Sequence, residues 1–129
     1  MTARGRATLG RSDVRRADER AGRAAETVAA LLLRLKGYRI VARRFRGLRG
    51  EVDLIARRGR LVVFVEVKRR PTYDDAALSI TTRQRERIAA AAEEYLASHP
   101  RLASSAVRFD AVLVPSGRLP RHVRDAWRP

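Results

Sequence analysis

A chain of 129 residues and 14.5 kDa is long enough to bury the core of one domain and too short for two substantial ones. With 29 Lys and Arg against 14 Asp and Glu, its formal charge of +15 points to a polyanionic partner, nucleic acid ahead of an anionic membrane face. The absence of Cys excludes a disulfide framework and thiolate metal ligands, and no apolar run reaches the length of a secretory signal or a membrane span, so a soluble cytoplasmic protein is expected.

Only two of the 29 cations are lysines, Lys36 and Lys68. Coding bias accounts for Arg over Lys but not for a twofold excess of base over acid. In chain order, residues 1–11 are rich in Gly and Arg, have no apolar period and are expected to form a disordered basic arm. Residues 12–129 are expected to form a single domain. Ser12 offers a helix N-cap, and Ala17, Ala21, Ala25, Val28, Leu32 and Leu35 recur at three- and four-residue steps up to Gly37, which predicts a helix over 13–36. Tyr38–Phe45 reads as a first strand, followed by strands over 51–57 and 61–69 that flank Gly59 as a hairpin. Pro71 breaks the pattern, a second helix covers about 81–98, and "VRFDAVLVP" is a fourth strand. The tail "RHVRDAW" offers a fifth.

The hairpin carries charge where a buried sheet should tolerate none. By strand alternation Val52, Leu54, Val63, Val65 and Val67 share one face, while Glu51, Asp53, Glu66 and Lys68 fall on the other beside Ile55, Val62 and Phe64. An even-numbered turn around Arg58-Gly59 brings the acids to one face, with Glu51 opposite Glu66 and Asp53 on the adjacent diagonal. Converging carboxylates repel one another and are costly to desolvate unless a cation neutralises them. Oxygen ligands without His or Cys suit Mg²⁺ or Mn²⁺ rather than zinc. Lys68, a compact ammonium two residues beyond Glu66, could hold a water or stabilise charge at phosphorus. The plainer alternative is an edge strand ending in solvated acids, with Glu66 and Lys68 as an ordinary ion pair.

Together "GEVDLIA" (50–56), "VFVEVKRR" (63–70), "GRAAE" (22–26), "KGYRIVARRFR" (36–46), "TTRQRERIAAAAEEYL" (81–96) and "RFDAV" (108–112) resemble the PD-(D/E)XK nuclease superfamily, and more closely its YraN-like, endonuclease-like bacterial family. The resemblance implies an α/β restriction-endonuclease-like core, a mixed β-sheet flanked by helices. It places the metal-binding acids on Asp53 and Glu66, with a backbone carbonyl from Val67, the catalytic lysine on Lys68 and the first-helix glutamate on Glu26, for which a surface pair with Arg23 is the competing reading. Gln84 stands where many relatives have Lys, a position some superfamily nucleases use to touch the site. Arg44 replaces a frequent Asn, and the loop after Arg70 lacks the usual Gly.

The implied activity is Mg²⁺-dependent (or Mn²⁺-dependent) hydrolysis of phosphodiester bonds in DNA, structured or branched DNA included, with RNA as the second nucleic acid and no membrane partner. The alternatives are a non-catalytic nucleic-acid adaptor that keeps the fold, and a basic RNA-associated protein whose acids are only structural. Arg83, Arg85 and Arg87 are candidates to track a phosphate backbone, and Tyr73 to stack on a base from a loop. His99 reads as a helix end, His122 as an exposed strand residue, Asp110 as an Arg partner and Trp127 as a packing anchor. The oligomeric state is left open, a homodimer included.

Overall fold

In a computed structural model, which describes residues 10–129, helix α1 (Arg11–Leu35) opens two residues before the expected start. Gly10 occupies the N-cap without a side-chain hydrogen bond, so Ser12 lies inside the helix rather than capping it. Asp13 still sits in the first turn, where the helix dipole favours an acid. Of the expected arm, Arg11 begins this helix and residues 1–9 lie outside the described residues. The C-terminal signal reads correctly. Gly37 at φ 90° lets its N–H reach the Arg34 carbonyl and the Tyr38 N–H reach that of Leu33, a Schellman ending that turns the chain into the sheet.

Strands β1 (Arg39–Arg46), β2 (Glu51–Arg58), β3 (Leu61–Arg69), β4 (Ala106–Val114) and β5 (Arg121–Val123) form one sheet in the order β1-β2-β3-β4-β5. All neighbours are antiparallel except β3 and β4, which run parallel. This is the α/β fold with a mixed sheet flanked by helices that the sequence predicts, fifth strand included. The crossover between β3 and β4 carries α2 (Tyr73–Leu78), α3 (Thr82–Ala97) and a 3₁₀ turn (Pro100–Leu102). Helix α2 was not expected. Thr72, whose side chain accepts from the Asp75 N–H, starts it directly after Pro71. Among the described residues, no helix is long and apolar enough to cross a membrane.

The sheet is covered on both sides, as the mixed pattern of β2 and β3 requires. On one side Leu54, Ala56, Val63, Val65 and Val112 pack against Ala29, Ala30 and Leu33 of α1. On the other, Ile55, Val62, Phe64 and Phe109 meet Ile88, Ala91, Ala92 and Tyr95 of α3, with Trp127 anchoring the tail. Two expectations fail here. The turn is Gly59-Arg60, not Arg58-Gly59, so Leu54 faces Val65, and Glu51 does not lie opposite Glu66. Val52 packs with Ile55 and Phe64 instead of with Leu54, so the alternation of β2 breaks between Val52 and Leu54.

Gly50, just before β2, sets how closely α3 can lie. A Cβ there would come within 2.0 Å of the Arg87 backbone oxygen, and backbone cannot step aside as a side-chain tip can. Gly50→Ala is therefore expected to cost at least about 2 kcal/mol, at or above the middle of the overpacking range. A urea titration would show it as a lower midpoint with an unchanged slope.

Candidate active site

Asp53 lies where the sheet opens. The β2–β3 ladder runs from Arg58↔Leu61 to Leu54↔Val65, and at the next position the Asp53 carboxylate takes over, accepting the Val67 N–H at 2.8 Å. The side chain thus substitutes for a backbone partner and holds the splayed ends of the two strands together. Glu66 and Lys68 project from β3 on the same face, Lys68 Nζ 3.5 Å from Glu66 Oε2, with side chains only 13% and 10% exposed. The Glu66–Lys68 contact of the plainer reading is present, but it lies in a cleft of about 700 Å³ rather than in solvent.

That cleft is walled by Glu26 and Asp18 of α1, by the hairpin acids and by Gln84 and Arg87 of α3, with Arg69 and Arg70 at its rim. Burial first, then a hydrogen bond and repulsion from Asp53, raise the Glu66 carboxyl from 4.5 to about 9, Lys68 pulling the other way. At neutral pH the ion-free pair therefore holds a proton. Among the described residues no three His, Cys, Asp or Glu side chains cluster as a metal-binding group. Two carboxylates beside the Val67 backbone, with the remaining positions left to water, fit Mg²⁺, which keeps several waters and needs few protein ligands.

The Glu66 shift has a consequence for stability. Between its ordinary value of 4.5 and about 9 the folded state binds a proton that the unfolded state has released. Stability of the ion-free protein must therefore fall as pH rises through this window, by at most about 1.4 kcal/mol per pH unit. Glu66→Gln is expected to flatten that fall and to raise the ion-free melting temperature above pH 7. Thermal unfolding in chelator across pH 5–9 checks both.

Glu26 is buried, and its partner is Arg44 (Nε–Oε1 2.8 Å), not Arg23. Gln84 lines the cleft while serving the α3 capping box, its Oε1 accepting from the Thr81 N–H and its own N–H bonding Thr81 Oγ1. The arginine trio separates. Arg87 lines the cleft and neighbours Arg83 and Arg49, whereas Arg85 points away to lie over the Trp127 ring at 5.7 Å. Residues two apart on a helix cannot share a face. Tyr73 is not on a loop, and one face of its ring is already covered. It opens α2, its hydroxyl donates to the Leu119 carbonyl, and the Arg121 guanidinium covers its ring at 3.8 Å.

His122 is the largest departure. Its side chain is 2% exposed, sharing hydrogen bonds with Asp110 at Nε2 (2.6 Å) and Lys36 at Nδ1 (2.6 Å). Asp110 is fully buried and also accepts from Arg108 and the Asp125 N–H. His99 packs flat on Tyr95 at the end of α3. Asp18, which the sequence reading passed over, was legible as the residue two turns before Glu26 on one helical face. Ser116, in the turn before β5, carried no such signal.

A mixed five-stranded sheet that opens at its centre onto two carboxylates, a lysine and an arginine rim defines an α/β protein with a charged cleft at the strand ends. Residues 25–114 match the family described as Uncharacterised protein family UPF0102, and the chain belongs to that family, the YraN-like one. UPF0102 protein amb4503 of Paramagnetospirillum magneticum is 56% identical over 121 residues, covering 91% of this chain and 94% of that protein. A UPF0102 protein of Parvibaculum lavamentivorans is 52% identical over 110 residues, 85% of this chain and 83% of the other. For RPA0323 of Rhodopseudomonas palustris the figures are 52% over 108 residues, 84% and 83%.

Proposed function

We propose that the protein is a nuclease of the PD-(D/E)XK type that hydrolyses phosphodiester bonds in DNA with Mg²⁺ or Mn²⁺. The observation that carries this reading is the convergence of Asp53, Glu66 and Lys68 in one cleft. Asp53, Glu66 and the Val67 carbonyl would hold the ion, which when bound supplies charge neutralisation and Lewis acidity. Lys68, oriented by Glu66, is placed to hold the attacking water or to donate to a phosphate oxygen as negative charge builds there. As the water oxygen bonds to phosphorus and gives up a proton to solvent, the P–O bond to the departing strand breaks and its oxygen takes up a proton. Arg69, Arg70 and Arg87 bind the phosphates on either side, and Gln84 offers its amide N–H₂ to the same cleft.

Incubation with duplex, single-stranded, flap and four-way DNA and with RNA, each with Mg²⁺, Mn²⁺ or chelator, tests the reading. Cleavage that needs the ion supports it. Saturable binding with no cleavage of any substrate supports the adaptor instead.

A further inference from the structure

The outward side of α1 carries a second pattern. Val14, Ala17, Ala21, Ala24, Val28 and Leu31 recur at alternating three- and four-residue steps, and Leu35 continues them. This is the a/d spacing of a coiled-coil seam, yet the seam lies outside the buried face centred on Glu26, Ala29, Ala30 and Leu33. Val14 is 50% exposed, Leu31 52% and Leu35 87%, along a helix of 25 residues. Such a continuous apolar strip marks an interaction surface.

We propose that this seam is where a second copy of the chain docks, the two α1 helices pairing antiparallel. Charge decides both occupant and direction. Asp13, Arg20 and Arg34 flank the seam on one side and Arg11 and Asp18 on the other. A parallel pair would set Asp13 of one copy against Asp18 of the next. An antiparallel pair that layers Val14 on Leu31, Ala17 on Val28 and Ala21 on Ala24 sets each Asp13 against Arg34 instead, twice over. Among the described residues Asp13 and Arg34 form no ion pair within the chain. Alanines at the middle layers let the helices approach closely where they cross.

The second side of the seam leads to the cleft. Asp18 and Ala25 border the seam and also line the cleft, and in an antiparallel pair these positions of both helices flank the same side. Both clefts then open on one side of the dimer, where two scissile phosphates of one nucleic acid can be met together; this part rests on the nuclease reading.

The full chain is expected to sediment as a dimer at micromolar concentration. Val28→Glu combined with Leu31→Glu should give a monomer with unchanged circular dichroism. Asp13→Arg should weaken the dimer by about tenfold, and Arg34→Asp added to it should restore the affinity, which a misfolded variant could not do. Since the chain has no native Cys, Val14→Cys mixed with Leu31→Cys should cross-link through a short bis-maleimide, while Val14→Cys alone should not, its two copies lying about 25 Å apart. A monomer at all concentrations, a charge swap without restoration, or cross-linking of Val14→Cys alone overturns the proposal. Mass and cross-linking are read without substrate, so a dimer that cuts nothing overturns the nuclease reading and leaves the interface standing.

Discussion

Lys68→Ala is expected to lower the rate of DNA cleavage by about a thousandfold, the scale of one lost transition-state donor, while duplex affinity changes by less than about threefold. The asymmetry follows from charge counting. Lys68 is one cation among 29, so its share of phosphate attraction is small, but it is the ammonium that meets Glu66 in the cleft. The variant has a second signature. Lys68 lowers the proton affinity of Glu66, so its removal leaves that carboxyl harder to ionise. The ion-free stability of Lys68→Ala should therefore keep falling to a higher pH than that of wild type, which thermal unfolding in chelator resolves. Equal cleavage rates in wild type and Lys68→Ala would assign the activity to a contaminating enzyme.

Asp110→Ala should destabilise the fold by about 3–5 kcal/mol, the cost of breaking a buried charge cluster. Asp110 ties Arg108, the His122 ring and the Asp125 backbone, so its loss strands a guanidinium and releases β5 with the tail behind it. Burial acts to raise its carboxyl, but hydrogen bonds from Arg108, His122 and the Asp125 N–H overcome this and bring it down from 3.8 to about 2. The sign follows. The contribution is fully present above the unfolded value of 3.8 and fades as pH falls toward 2. Urea midpoints of wild type and Asp110→Ala should therefore lie far apart at neutral pH and draw together in acid. Asp110→Asn, which keeps the shape, should fall between them.

The difference between these two clusters shows what the sequence could convey. Asp53, Glu66 and Lys68 were legible because local alternation on one hairpin sorts charge from apolar residues, and a two-residue turn brings both strands together with little freedom to err. Even so, the register was misplaced by one step along each strand, since Arg58-Gly59 and Gly59-Arg60 are equally plausible turns by composition. His122 was misread as exposed because its partners, Lys36 and Asp110, come from distant segments that only the sheet order unites. No periodicity encodes that meeting. The exposed side of α1 was hidden differently: the helix has apolar residues on two faces, and the period alone does not say which is buried.

The single parallel pairing in the sheet also sets the order in which the chain can assemble. The β2–β3 hairpin closes over two residues, whereas β3 meets β4 only after the segment carrying α2 and α3 has looped back to lay Ala106 beside Leu61. Loop-closure entropy makes the first step cheap and the second slow. Asp53, Glu66 and Lys68 all lie on the cheap step. The rate-limiting search then belongs to the crossover, so mutations in β4 should slow refolding while those in the hairpin turn mainly change the early collapse.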